Sequence, residues 1–107
     1  MKNILFKITL LISTINNLVA YDFVECSVSY EKEQKTELDY INRAYYIGFI
    51  DGLNGFNGDL YCTTDNVKMG QLYAIVRKYI KNNPEKWNEG KYLLVLKPLR
   101  EAFPCKK

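Results

Sequence analysis

The sequence predicts a small all-α domain, a bundle of about four helices stapled by a disulfide. Three observations lead to this prediction. Apolar residues recur at three- and four-residue spacing in separate segments. Turn residues rich in Asn, Gly and Pro separate those segments. Three cysteines occur in a chain that begins like an exported protein, where a disulfide is expected.

The first twenty residues have the features of a signal peptide. Lys2 and Lys7 supply a positive start, residues 8–15 are mainly apolar, and Ala20 suits the last residue before cleavage. The apolar run is well below the roughly 20 residues that a spanning helix needs. Export is therefore favoured over a membrane anchor, with 1–20 as the signal peptide and 21–107 as the domain.

The composition argues against several classes of function. Removing residues 1–20 lowers the formal net charge from +3 to +1, so no basic footprint for nucleic acid is expected. The sequence has no histidine, which removes the Ser-His-Asp and Cys-His arrangements and most zinc-ligand sets. We predict no enzymatic activity, no catalytic residues, no metal and no cofactor.

The first helix of the domain is predicted from Thr36 to Gly52. Residues 21–35 before it fit either a short helix or an extended arm. Thr36 and Asp39 are spaced as a capping box. Gly48 and Gly52, one turn apart, suggest that another helix approaches closely. These glycines belong to one predicted apolar face: Leu38, Ile41, Tyr45, Gly48, Phe49 and Gly52.

A second helix is predicted from Val67 to Lys81, after a glycine-containing turn and the possible caps Thr63, Thr64 and Asp65. Its polar face carries Arg77, Lys78 and Lys81, where the helix dipole favours cations. Its predicted apolar stripe is Val67, Leu72, Ile75, Val76, Tyr79 and Ile80.

A further helix is predicted to start at Pro84, which is at the first helical position. Pro98 lacks a backbone donor and is expected to kink or split this helix. The run from Tyr92 to Leu96 also fits a strand, although its flanks favour helix. The expected core residues are Trp87, Leu94 and Leu99 or Phe103.

Three cysteines allow three disulfide pairings, and we favour Cys62 with Cys105. Closing the 43-residue loop between them is worth on the order of 4 kcal/mol in the chain-entropy model. The alternative is that all three cysteines are small buried apolar residues, which an oxidising compartment disfavours.

Aromatic residues near turns point to a binding protein. The sequence contains nine tyrosines, and aromatic side chains anchor many protein interfaces. Two turns, Asn54 to Tyr61 and Asn82 to Trp87, are candidate contact elements, with simple connection of helices an equal alternative. The candidate contact residues are Phe56, Asn57, Asp59, Tyr61, Asn82, Asn83, Glu85, Lys86 and Trp87.

A series of motifs from about Tyr45 to Cys105 resembles a known family. The series is Gly48-Phe49-Ile50-Asp51-Gly52, Tyr61-Cys62-Thr63, Val67-Lys68-Met69-Gly70-Gln71-Leu72, Asn83-Pro84 and Leu99-Arg100-Glu101-Ala102-Phe103-Pro104-Cys105. In this order the chain resembles the Rap/Tai family of periplasmic immunity proteins of type VI secretion amidase effectors.

The resemblance implies a small, often dimeric, helical protein in the periplasm that performs no chemistry. Such a protein binds a cognate toxic peptidoglycan amidase and blocks its active-site groove. The resemblance also implies the Cys62–Cys105 bridge. A small HdeA-like stress chaperone, a dimer that opens at low pH, is the alternative function.

This sequence departs from the family pattern at three positions. The family's usual partner for a cysteine such as Cys26 is missing, which leaves open whether Cys26 forms an intermolecular bond. Lys68 stands where a Ser or Thr cap is common, so capping is expected to shift to Thr64 or Asp65. Pro98 stands where a small helix former is usual.

Overall fold

The computed structural model describes residues 23–56 and 58–106. The predicted signal peptide and Asn57 lie outside these ranges. Within them the chain forms helix α1 over residues 23–31, α2 over Glu37–Gly55, α3 over Met69–Asn82, a 3-10 helix over Pro84–Glu89, and α4 over Lys91–Ala102. No strand occurs in the described ranges, so the all-α prediction is confirmed.

Helices α3 and α4 form a hairpin that contains the centre of the core. Leu72, Val76 and Ile80 of α3 are buried together with Leu94 and Leu99 of α4, each at most 1% exposed. Val67, Ile75 and Tyr79 are partly buried at the margin of this cluster. The predicted α3 stripe is therefore confirmed, and burial of each large side chain contributes roughly 1.5–3 kcal/mol.

Helix α3 begins later than the sequence predicts. Its N-cap residue is Lys68, whose backbone amide donates to the Gln71 side-chain oxygen at 2.6 Å. The expectation that Thr64 or Asp65 caps this helix is wrong. The Val67 amide donates to the Thr64 carbonyl at 3.1 Å instead, so these residues form a turn before the helix.

Pro98 lies inside α4 and does not split it, so of the two predicted effects the split is wrong and the kink stays a prediction. The proline removes the donor that the Leu94 carbonyl would otherwise use. Both Pro98 and its neighbour Leu99 are nevertheless buried, so packing outweighs the lost hydrogen bond. The break in the last helical segment falls at Gly90, which has φ 88° and ψ 151°. Residues 92–96 are helical, and the strand alternative is also wrong.

Helix α1 shows that the short-helix alternative is right for residues 23–31, and it changes the role of Arg77. Residues 23–31 are helical, with Phe23 and Ser27 buried. Arg77, expected on a solvated face, is only 8% exposed. Its Nε donates to Glu31 Oε2 at 2.8 Å, and Nη1 donates to Ser27 Oγ at 3.0 Å. The hydrogen bond from Arg77 lowers the pKa of Glu31.

The start of α2 has the predicted capping box. The Asp39 amide donates to Thr36 Oγ1 at 3.1 Å, and the Thr36 amide donates to Asp39 Oδ2 at 3.1 Å. Lys32 forms an ion pair with Asp39 at 2.9 Å. The cap therefore also ties the loop after α1 to the first turn of α2.

Most of the predicted apolar face of α2 does not face the core: Leu38, Ile41 and Tyr45 are exposed, whereas Phe49 packs against the core. Tyr46 and Ile50 are the large side chains of α2 that are fully buried, and Tyr46 Oη donates to the Tyr73 carbonyl at 2.6 Å. Phe23 and Tyr30 of α1 lie against the Tyr46 ring, so α1 covers this side of α2. Among residues 23–56 and 58–106, no other helix makes the expected close approach at Gly48 and Gly52, because a Cβ at either position would meet no atom within 4 Å.

The Cys62–Cys105 disulfide is confirmed, with the two Cα atoms 4.9 Å apart. Beside it, the Cys62 amide donates to the Phe103 carbonyl at 2.8 Å. Cys26 lies outside this bridge and is fully buried in the core. An intermolecular bond through Cys26 would therefore require α1 to detach.

Across the described part of the chain, every helix is too short or too polar to cross a bilayer.

Candidate partner-binding surfaces

The segment 54–61, here called the glycine loop, projects one aromatic side chain into solvent. Phe56 is 88% exposed, and Asp59 is also exposed. Tyr61 is only 1% exposed, and its hydroxyl donates to Asn54 Oδ1 at 2.7 Å. Tyr61 therefore holds the loop from inside and presents almost no surface to a partner. Asn57 lies outside the described residues.

The segment 82–87, here called the proline turn, is held by hydrogen bonds to the end of α3. The Asn83 side-chain amide donates to the Tyr79 carbonyl at 2.8 Å. Trp87 Nε1 donates to the Ile80 carbonyl at 2.7 Å, and the ring remains 39% exposed. Lys86 pairs with Glu89 at 3.5 Å. Asn82 and Glu85 are exposed and free to contact a partner.

The two turns lie at opposite ends of the α3–α4 hairpin. The glycine loop is beside the start of α3, where Asn54 Nδ2 lies 3.6 Å from Met69 Sδ, and beside the end of α4. The proline turn follows the end of α3. Since α3 has 14 residues, about 21 Å separates its two ends. The structure therefore does not join the predicted contact residues into one site.

A basic groove adjoins the proline turn. It has a volume of about 410 Å³ and is lined by Tyr30, Glu31, Ala74, Arg77, Lys78, Lys81 and Asn82. Lys81 lies 3.9 Å from Glu31, and the lining as a whole contains one carboxylate and three cationic side chains. Sequence reasoning missed this groove because Glu31 and Arg77 are 46 residues apart.

Helix α2 presents an exposed apolar surface, here called the α2 apolar face. It consists of Leu38, Ile41, Tyr45, Gly48, Gly52 and Phe56, with Tyr92 of α4 beside them. The sequence pattern identified most of this face but assigned it to packing inside the chain. Lys91 lies at its edge, with its ammonium 5.1 Å from the Tyr45 ring centroid and 5.3 Å from that of Phe49.

Tyr73 connects α3 to α2 behind these surfaces. Its hydroxyl donates to Asp51, and its carbonyl accepts from Tyr46. Burial and the bond to Asp51 raise the pKa of Tyr73 to about 12. Asp51 therefore braces α2 against α3.

Comparison with known proteins identifies the family. The model of the family described as Rap1a immunity proteins matches residues 14–105. No curated protein and no solved structure matches the chain. The matched range contains both bridge cysteines, the three helices α2 to α4, and the two candidate turns. The chain belongs to the Rap1a immunity proteins.

Proposed function

We propose that this protein is exported to the periplasm, where it binds and inhibits a peptidoglycan amidase delivered by a type VI secretion system. The observation that carries this proposal is the family match over residues 14–105. The signal-like segment 1–20 and the disulfide favour export into an oxidising compartment. The protein acts by occluding the active site of the toxin and performs no chemistry of its own.

The toxin is proposed to contact the ends of the hairpin. The exposed groups there are Asp59 in the glycine loop and Asn82 and Glu85 in the proline turn, and the partly exposed Lys86 adds a positive charge beside them. Asn83 and Trp87 support the turn through their bonds to α3. The basic groove next to Asn82 extends this surface and suits acidic side chains of the toxin. The active unit is proposed to be a homodimer.

Co-expression tests this function. A candidate peptidoglycan amidase, chosen from the genes neighbouring that of this protein, is directed to the periplasm of a host cell, with and without the full chain. We expect the full chain to prevent lysis and to co-purify with the amidase. A version lacking residues 1–20 is the matched control. Without the proposed signal peptide it should not reach the periplasm, and we expect it to give no protection.

Two results would contradict the proposal. One is the absence of both a complex and protection from lysis with the full chain. The other is suppression of protein aggregation at low pH without any amidase binding, which would instead indicate the HdeA-like chaperone.

Surface variants then locate the contact. Asp59→Lys and Glu85→Lys each change an exposed charge at one end of the hairpin. We expect at least one of them to weaken amidase binding about tenfold or more, as truncation at an interface anchor does. Tyr40→Ser, on the far side of α2, is the control because Tyr40 is exposed and outside both turns. Equal binding by all three variants would remove the turns from the proposed site.

A further inference from the structure

The basic groove concentrates the positive charge of the domain. Its lining contains Arg77, Lys78 and Lys81 but one carboxylate, that of Glu31. The groove therefore carries two more positive than negative charges, whereas residues 21–107 as a whole carry a formal charge of +1. Since the remainder of the domain has a slight negative charge, the groove is the place to which an anionic partner is drawn.

A neighbouring groove shows that this excess charge belongs to one side of α3. The second groove lies between α3 and α4, has a volume of about 390 Å³, and shares Lys78 and Asn82 with the basic groove. Its charged lining residues are Lys78 and Glu101, which are of opposite sign, so the second groove is neutral. An acidic partner is therefore favoured on the α1 side of α3 and not on the α4 side.

The three cations of the basic groove differ in their availability. Arg77 is only 8% exposed and already donates to Glu31 and Ser27. Lys78 and Lys81 are exposed. Because these lysines are three positions apart on a helix, their Cβ atoms are about 5–6 Å apart and their ammonium groups can reach the same carboxylate. The groove thus has one fixed cation and two available ones.

Glu31 is a carboxylate that the chain itself supplies to these cations. Its Oε2 accepts from Arg77 Nε at 2.8 Å, and its Oε1 lies 3.9 Å from the Lys81 ammonium. The contact with Lys81 is long and open to solvent, and an exposed ion pair of this kind is weak. Lys81 can therefore leave Glu31 without disturbing the shorter bond to Arg77.

We propose that the basic groove receives an acidic side chain of the toxin, whose carboxylate is bound by Lys78 and Lys81. Lys81 then leaves Glu31, which stays with Arg77 and opposes the incoming negative charge. This inference rests on the proposed function and names the chemical group of the toxin that the groove recognises. A recess beside exposed lysines suits one projecting side chain better than it suits the flat surface of an anionic membrane.

Replacing the two available cations tests the inference in the full protein, purified with its disulfide intact. Lys78→Gln and Lys81→Gln each remove one positive charge from the groove. Lys35→Gln is the matched control, because Lys35 is exposed but lies outside the groove and both turns. The dissociation constant for the amidase is measured at about 0.1 M and about 1 M salt, where the Debye length is about 10 Å and about 3 Å.

Replacing Glu31 gives a change of opposite sign. Glu31→Gln removes the opposing charge and leaves a side-chain oxygen that can accept from Arg77. Glu33→Gln is its control, since Glu33 is exposed, lies outside the groove lining and loses the same charge. Circular dichroism melting curves establish that every variant is folded.

At the lower salt concentration we expect Lys78→Gln and Lys81→Gln each to weaken amidase binding at least about fivefold relative to Lys35→Gln. Glu31→Gln should strengthen binding about threefold or more relative to Glu33→Gln, because a like charge is removed from the interface. Both differences should shrink at the higher salt concentration, where charges are screened.

Three results would overturn the inference. If the natural protein binds the amidase and both lysine variants bind as tightly as Lys35→Gln, the proposed function stands but the groove does not hold the toxin. Binding by Glu31→Gln that is no tighter than binding by Glu33→Gln would remove the opposing role of Glu31. Binding to anionic phospholipid vesicles that both lysine changes abolish, with amidase binding unchanged, would assign the groove to a membrane surface. Absence of any complex with the natural protein would instead contradict the proposed function itself, and this inference with it.

Discussion

Arg77 joins α3 to α1 through side chains that are distant in sequence. Its guanidinium is nearly buried and donates to both Glu31 and Ser27. Glu31 is half exposed, so solvent reduces the strength of this ion pair. The bond to buried Ser27 is protected from solvent and should contribute more.

Replacing Arg77 with methionine is expected to destabilise the protein by about 1–3 kcal/mol, because Ser27 and Glu31 lose their shared donor. Lys78→Met is the matched control, since Lys78 is the exposed neighbour on the same helix, and it should change stability by no more than about 0.5 kcal/mol. Urea unfolding monitored by circular dichroism measures both. Equal effects of the two changes would show that the buried contacts of Arg77 contribute little.

Asp39 makes the stability of the protein depend on pH. The hydrogen bond from Lys32, followed by those from the Lys35 and Thr36 amides, lowers the pKa of Asp39 from 3.8 to about 2. Because the pKa in the folded protein is below its unfolded value, the contribution of Asp39 is complete above about pH 4 and is lost as the pH falls towards about 2.

We expect Asp39→Asn to be less stable than the natural protein near neutral pH, with the difference shrinking between about pH 4 and pH 2. Urea titrations across this range give the two unfolding free energies. Lys32→Met should produce part of the same effect, since it removes the strongest partner of the carboxylate. A difference between Asp39→Asn and the natural protein that is constant with pH would contradict the assignment.

At the scale of helices, Gly90 separates the 3-10 helix from α4. Its φ of 88° with ψ of 151° lies in a region that is essentially restricted to glycine. Open space around its Cβ does not relieve this backbone restriction. Gly90 thus sets the direction in which α4 leaves the proline turn.

Gly90→Ala is expected to cost about 1–3 kcal/mol through backbone strain. Gly70→Ala, in the helical backbone of α3, should instead stabilise the protein by up to about 1 kcal/mol. Thermal unfolding of the two variants compares these opposite signs. If Gly90→Ala were neutral, the turn would have to tolerate a different backbone conformation.

Sequence patterns predicted those elements whose cause is local. The Thr36–Asp39 capping box and the stripe of α3 depend on residues within a few positions of one another. The sequence pattern could not show whether the α2 apolar face lies in the core or in solvent, because the apolar residues of α2 occupy more than one side of the helix. Which side is buried depends on Phe23 and Tyr30 of α1. The split expected at Pro98 is absent for a similar reason, since burial of Pro98 and Leu99 outweighs the local preference of proline.

The candidate contact residues divide in the same way, into those identified from local sequence and those that depend on contacts between distant residues. Turn residues identified the exposed groups of the glycine loop and the proline turn, including Phe56 and Glu85. Burial of Tyr61, however, arises from its contact with Asn54 and the packed core. The basic groove needs α1 and α3 to meet, which the sequence pattern does not contain.

At the scale of the whole molecule, the disulfide encloses α3 and α4 but leaves α1 and α2 outside its loop. The enclosed hairpin is therefore constrained even when unfolded. In the described part of the chain, α1 and α2 are joined to the hairpin by contacts such as the hydrogen bond from the Tyr46 hydroxyl to the Tyr73 carbonyl and the one from Arg77 to Glu31.

Replacing both Cys62 and Cys105 with serine is expected to lower the unfolding free energy by roughly 3–4 kcal/mol and to weaken amidase binding, since the glycine loop loses its tie to α4. Reductant should have the same effect on the natural protein and none on the double variant. Chemical unfolding and binding measured with and without reductant test this. Unchanged binding by the reduced protein would show that the bridge serves stability alone.

Trp87 is the single tryptophan of the chain, and its indole is fixed to the Ile80 carbonyl at the end of the hairpin. The half-exposed ring reports on this end alone, because the disulfide and the glycine loop lie at the other. The intrinsic fluorescence of Trp87 therefore reports binding at the proline turn. A toxin docking on the proline turn should shift the emission maximum to shorter wavelength, and a toxin docking on the glycine loop should leave it unchanged.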